Sequence, residues 1–194
     1  MTLERIVKKR VRSGSDPVDQ AAATTEDLAV PANLGVLLID MQDRFVQGLA
    51  REGAAKIISH QVKVLDYCRE HDVPVFVLEF YGCGETIHPL SDHVSRLRRK
   101  ECIIKRYNDG FYDTLLSARL QAEEIKTLLL MGINASYCVK RTAAGAINNG
   151  FSIMTSGQLI ADNRISEFGS AIKWYQRNGQ YHDNYQMLFH YRRP

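Results

Sequence analysis

The sequence predicts a three-layer α/β/α domain built on a six-stranded, mainly parallel sheet. Three observations carry this. Short continuous apolar runs such as GVLLID (35–40) and EIKTLLLMG (124–132) fit strands buried on both faces, as parallel sheets require. Stretches with helical spacing separate those runs, and strict strand–helix alternation implies right-handed βαβ units. The length of 194 residues with 45% hydrophobic content suits one domain with a full core.

The elements follow in order. Residues 1–33 are polar, rich in Ala, Thr and Ser, and interrupted by Pro17 and Pro31, so they read as an N-terminal tail or arm. The domain spans 34–194. GVLLID gives the first strand. A helix is expected over about 52–71, where Ile57, Val64, Leu65 and Cys68 recur on one face. VPVFVLEF (73–80) is the second strand and ECIIK (101–105) the third. Residues 112–124 read as a helix, 124–132 as the fourth strand, and the small-residue stretch 138–149 as a helix. FSIMTS (151–156) is the fifth strand. A helix near 166–177 and a short last strand near 186–190 complete a Rossmann-like layout. There is no internal repeat.

Charge and cysteine usage exclude several classes. The formal net charge is +3, but residues 1–13 hold Arg5, Lys8, Lys9, Arg10 and Arg12 against Glu4, a net of +4, so the rest sums to −1. A near-neutral folded part gives no electrostatic footprint for nucleic acid. No run reaches the roughly 18 apolar residues of a membrane span. The N-terminus lacks a signal peptide's apolar stretch, and Glu4 and Asp16 weaken a mitochondrial address. Cys68, Cys83, Cys102 and Cys138 form no Cys-x-x-Cys pair. Four free thiols in a cytoplasmic protein are expected.

In open parallel sheets, ligands gather at the carboxyl ends of strands. The first strand ends at Asp40, the second at Glu79 and the third at Lys105, and the fourth runs into the turn before Cys138. These side chains therefore share one edge. Cys138 opens a helix, where unpaired N–H groups and the dipole favour a thiolate. Lys105 adds a positive charge that lowers the thiol pKa. Asp40 can take the thiol proton, protonate a leaving nitrogen and then activate water. Backbone N–H groups between Gly132 and Cys138 are placed to receive an oxyanion.

At these residues the chain resembles the isochorismatase-like cysteine hydrolases, which include nicotinamidases, carbamoylsarcosine amidases and ureidoacrylate amidases. The likeness rests on LLIDMQDRF (37–45), IIKRYNDGFYDT (103–114) and LLLMGINASYCVKRTAAGAINNGF (128–151), in this order and spacing. It implies a catalytic triad of Asp40, Lys105 and Cys138. It also implies a non-proline cis peptide before Asn134, with an oxyanion hole made by the Asn134 and Cys138 N–H groups. Phe45, Phe111 and Tyr137 match substrate-lining positions of the family, and Glu79 is a further candidate for binding an amide nitrogen. A small-molecule substrate, a homo-oligomer (dimer or tetramer) and a parallel sheet of six strands are also implied.

Departures narrow the reading. Nicotinamidases carry an Asp-x-His-x-His metal site after the first block. Here Met41 to His60 holds one histidine, so no metal and no cofactor are expected. Isochorismatases proper lack the cysteine, because cleaving a vinyl ether needs an acid and no nucleophile. The loop EFYGCGETIHPLSDH (79–93) departs from the better-known members. Within it, Gly82-Cys83-Gly84 lacks the third glycine of a phosphate loop, and Cys83, His88, Asp92 and His93 fit no standard metal template. Taken singly, Cys138 reads as a packing thiol, Asp40 as a turn former and Lys105 as a surface cation. Cys68 and Cys102 read as packing residues. The expected activity is hydrolysis of a small-molecule amide, or another non-peptide C–N bond, through a thioester. Vinyl-ether hydrolysis by Asp40, or a catalytically idle binding protein on the same fold, are the alternatives.

Overall fold

The computed structural model describes residues 33–189. Apart from Asn33, the expected arm over 1–33 lies outside them. The chain runs β1 (Leu34–Ile39), α1 (Asp43–Val46), α2 (Arg51–Glu70), β2 (Val75–Phe80), α3 (Leu90–Ser95), β3 (Lys100–Lys105) and α4 (Leu116–Ala122). It continues through β4 (Thr127–Ile133), α5 (Cys138–Asn148), β5 (Ser152–Ser156), β6 (Ile160–Ala161), α6 (Ile165–Asn178) and β7 (Gln180–His182), and closes with a 3₁₀ turn at Tyr185–Leu188.

The sheet order is β3-β2-β1-β4-β5-β7, and β6 pairs with β4. Every pairing is parallel. The sheet thus has seven strands, one more than expected, because the two-residue β6 joins the end of β4. The chain builds outward from β1 to β2 and β3, then crosses back to lay β4 on the other side of β1. That reversal puts a crevice between the carboxyl ends of β1 and β4, where parallel sheets hold ligands.

Strand alternation sorts the core into two layers. Leu37, Ile39, Phe76, Leu78, Leu128 and Leu130 pack with side chains of α4, α5 and α6. Val36, Leu38, Val75, Val77, Leu129 and Met131 pack with α2, α3 and the 3₁₀ turn. All six residues of β1 are buried. Each large aliphatic side chain so placed contributes about 1.5–3 kcal/mol of hydrophobic stabilisation. On α2 the buried stripe is Ile57, Gln61, Val64, Leu65 and Cys68, a helical period that includes the four residues read from sequence.

Three boundaries differ most from expectation. The helix expected over 112–124 begins only at Leu116, because Asp113 has φ 56° and Thr114 Oγ1 accepts from Leu116 N at 3.2 Å. The fourth strand starts at Thr127, since Glu124 at φ 54° still belongs to a turn. The last strand lies at Gln180–His182, and residues 185–188 form a 3₁₀ turn. Tyr185 and Leu188 are the buried residues of that turn, and Asn184 Oδ1 caps it by accepting from Gln186 N at 3.0 Å. A spacing of three belongs to a turn and not to a strand. The short helices α1 and α3 carry too few periodic residues to be read from sequence.

Candidate active site

Asp40 follows β1 directly. Its φ of 53° turns the chain sharply, and the residue is completely buried. Left-handed backbone at a non-glycine residue is uncommon. Gly132, at φ 144° on the neighbouring β4, makes the close approach possible: a β-carbon there would stand 2.1 Å from the Ile39 carbonyl oxygen. The two strand ends can therefore close around the crevice only because position 132 has no side chain.

Lys105 ends β3, two strands away from β1. Its side chain crosses the end of β2, passing 4.7 Å from the Phe80 ring centroid, and its Nζ donates to Asp40 Oδ2 at 2.7 Å. Both side chains are fully buried. A second bond from Nζ to the Tyr107 carbonyl, at 3.3 Å, fixes the ammonium. Asp40 Oδ1 has no hydrogen-bond partner of ordinary geometry. The Cys138 thiol stands close enough to that carboxylate for each to shift the other's ionisation.

Cys138 is the first residue of α5 and is 4% exposed. The expectation of a lowered thiol pKa is not met: the thiol is pushed up to about 12, mainly by burial and then by the Asp40 charge. Lys105 and a hydrogen bond from the Asn134 N–H only partly offset this. The helix start therefore does not make a resting thiolate. Burial also lifts the Asp40 carboxyl above the ordinary 3.8, against the opposing pull of Lys105. Cost of desolvation thus dominates both groups.

The Ile133–Asn134 peptide is cis. The Asn134 N–H reaches the Cys138 sulfur, while the Asn134 carbonyl takes Tyr137 N at 3.0 Å and Val139 N at 3.1 Å. The Cys138 N–H lies in the first turn of α5, where the helix itself offers no acceptor. Two N–H groups therefore border the sulfur.

The other expected residues fall as follows. Glu79 is buried, and its Oε1 accepts from Thr86 N at 2.7 Å and Thr86 Oγ1 at 2.8 Å, which folds back the loop after β2. Phe45 packs edge-on against Phe80, with centroids 6.2 Å apart. Phe111 is a core residue, 5.7 Å from the Phe151 ring. Tyr137 is exposed, with the Arg164 guanidinium 5.4 Å from its ring centroid. In the 79–93 loop, His88 pairs with Asp92 and His93 with Asp66. Among the described residues no group of three or more His, Cys, Asp or Glu side chains could hold a metal ion.

Several contributors were not read from sequence. Asn108 Oδ1 accepts from the Cys138 thiol at 3.4 Å. Thr142 Oγ1 on α5 takes Gly110 N at 3.0 Å and donates to the Asn108 carbonyl at 3.3 Å, so the loop after β3 is bolted to the cysteine helix. The Asp109 carboxylate fills the space where a β-carbon at Gly145 would be, 2.3 Å away. Buried Gln42 binds both the N–H and the carbonyl of Phe80 through its side-chain amide. Only the NDG run at 108–110 carried a local signal, as a turn. A separate cavity of about 450 Å³ lies between α2 and the start of α6, lined by Ile57, His60, Ile160, Asp162 and Phe168 among others, and does not include Asp40, Lys105 or Cys138.

Comparisons with known proteins agree with this architecture. The isochorismatase domain family model matches residues 35–162. An uncharacterized isochorismatase family protein of Bacillus subtilis is 27% identical over 127 residues, covering 60% of this chain and 71% of that protein. The nicotinamidase of Staphylococcus aureus superposes with a TM-score of 0.69 at 18% identity, covering 77% of this chain and 98% of that one. N-carbamoylsarcosine amidase from Thermoplasma acidophilum gives 0.65 at 21% identity, over 77% and 95% of the two chains. Among the described residues no helix is long and apolar enough to cross a membrane. The chain belongs to the isochorismatase family of hydrolases.

Proposed function

We propose that the protein hydrolyses a small-molecule amide, or another non-peptide C–N bond, through a thioester on Cys138. One observation carries this reading: a buried carboxylate, fixed on one oxygen by Lys105 at 2.7 Å, leaves its other oxygen unbonded beside the thiol. Because the resting thiol is neutral, its proton must leave as the sulfur attacks. Asp40 receives that proton, and the carbonyl oxygen becomes an oxyanion facing the Asn134 and Cys138 N–H groups. Asp40 then gives the proton to the leaving nitrogen, the C–N bond breaks, and a thioester and an amine result. In the second half Asp40 takes a proton from water, hydroxide adds to the thioester, and the thiol is regenerated with release of a carboxylic acid. Lys105 favours the ionised form of Asp40 before each proton is accepted.

The structural neighbours named for nicotinamide and N-carbamoylsarcosine support an amide or carbamoyl substrate. The test is ammonia release from a panel of primary amides, ureas and carbamates. A covalent adduct at Cys138 should be seen by mass spectrometry, and Cys138→Ala should be inactive. Full turnover by Cys138→Ala sinks the thioester.

One observation favours a second reading. The raised Asp40 carboxyl suits an acid that protonates a vinyl ether, as isochorismate cleavage needs. Turnover of isochorismate that survives loss of Cys138 would establish it.

A further inference from the structure

The turn between Asn134 and Cys138 holds one peptide plane clamped at both ends. The Ala135 carbonyl accepts from the Tyr175 hydroxyl at 2.7 Å, and the Ser136 N–H donates to the Asp162 carboxylate. These two groups belong to the same peptide unit, midway between the two N–H groups that border the sulfur. Tyr175 is 1% exposed and comes from α6, whereas Asp162 is 6% exposed and comes from the end of β6. The clamp is itself braced. Asp162 Oδ1 accepts from Arg164 N at 2.8 Å, Ala135 N donates to the Ala161 carbonyl at 2.8 Å, and Asn163 N donates to Asn134 Oδ1 at 2.9 Å. Three consecutive residues at the end of β6, Ala161, Asp162 and Asn163, thus hold the three that follow β4, Asn134, Ala135 and Ser136.

We propose that Asp162 and Tyr175 are positioning residues for the oxyanion: by locking the Ala135–Ser136 plane they aim the flanking Asn134 and Cys138 N–H groups. This rests on the thioester reading above. A buried carboxylate spent on two backbone N–H groups is an expensive way to hold an ordinary loop, since its desolvation must be met by those bonds. It is suited to a turn whose donors must stay within about 0.2 Å of the ideal 2.7–3.1 Å from a transient charge.

The test separates aim from integrity by using two reagents on the full-length chain. Acylation by p-nitrophenyl acetate passes through an oxyanion, while alkylation by iodoacetamide displaces iodide and forms none. Both rates are followed on the Cys138 peptide by mass spectrometry, because Cys68, Cys83 and Cys102 are also free. Asp162→Ala is expected to slow acylation by about 10²-fold and Tyr175→Phe by about 10-fold, since one oxyanion donor is worth about 10²–10³. Alkylation should stay within about twofold of the parent chain in both variants. Tyr175→Phe removes a single oxygen and keeps the ring in the core, so it reports even if Asp162→Ala fails to fold. Unchanged acylation in Tyr175→Phe, or acylation and alkylation falling together, overturns the proposal. If the parent chain shows no acylation at Cys138, the thioester reading itself fails and the clamp falls with it, before any variant is compared.

Discussion

The two ends of the sheet use ion pairs in opposite ways. At the amino end, in the segments before β2, β3 and β4, Asp72 pairs with Arg98, and Glu123 with Arg99, all partly exposed to solvent. At the carboxyl end, Asp40 pairs with Lys105 and neither side chain is reached by water. Exposed pairs gain little and are screened by salt. A buried pair carries a large desolvation cost, so it is a poor choice for stability alone. The difference is what the proposed reaction requires: charge at the carboxyl end is buried where the proposed chemistry lies, whereas charge at the amino end decorates loops.

The contrast can be broken or sharpened by substitution. The largest effect is expected at the proposed nucleophile: Cys138→Ala should abolish acylation, measured as adduct formation with p-nitrophenyl acetate. Next, Lys105→Met should lower turnover by at least about 10²-fold. It should also cost about 3 kcal/mol of stability by chemical denaturation, limited by Asp40 taking up a proton. A stable, fully active Lys105→Met would reduce the buried pair to an accident of packing. Gly132→Ala should cost about 3 kcal/mol or more, since its β-carbon meets backbone that cannot yield. A smaller, directional effect concerns pH. Asp40 must be ionised to accept the thiol proton, and its folded pKa lies above 3.8, so the acylation rate should rise with pH through a midpoint above that value. A midpoint at or below 3.8 contradicts this. The same raised pKa means that Asp40's contribution to stability is present below 3.8 and lost as pH rises through its folded value. The smallest effect belongs to the amino end: Arg98→Ala should leave turnover and the melting midpoint where they were.

What could be read from sequence follows the range of the interaction. Buried strands announce themselves as apolar runs, so β1, β2, β4 and β5 were legible, as was the strand-end placement of Asp40, Lys105 and Cys138 on one edge. The last strand was misplaced near 186–190, where residues 186–188 lie in a 3₁₀ turn, because so short a run carries no clear period. Asp162 and Tyr175 were silent because they act on backbone atoms far along the chain: Asp162 reaches Ser136 across 26 residues and Tyr175 reaches Ala135 across 40. No local pattern encodes such a contact. The state of the thiol was also illegible, because the helix start could be read while the depth of burial could not.

The bolt between the loop after β3 and the helix α5 has a mechanical consequence. Thr142 grips Gly110 and Asn108, and Asp109 occupies the notch left by Gly145. The Cys138 thiol and the Lys105 ammonium therefore ride on one solid piece. The segment 81–93 hangs from a different hinge, through Glu79 and Gln42. Changes in that segment can therefore accumulate while the spacing of Asp40, Lys105 and Cys138 stays as it is.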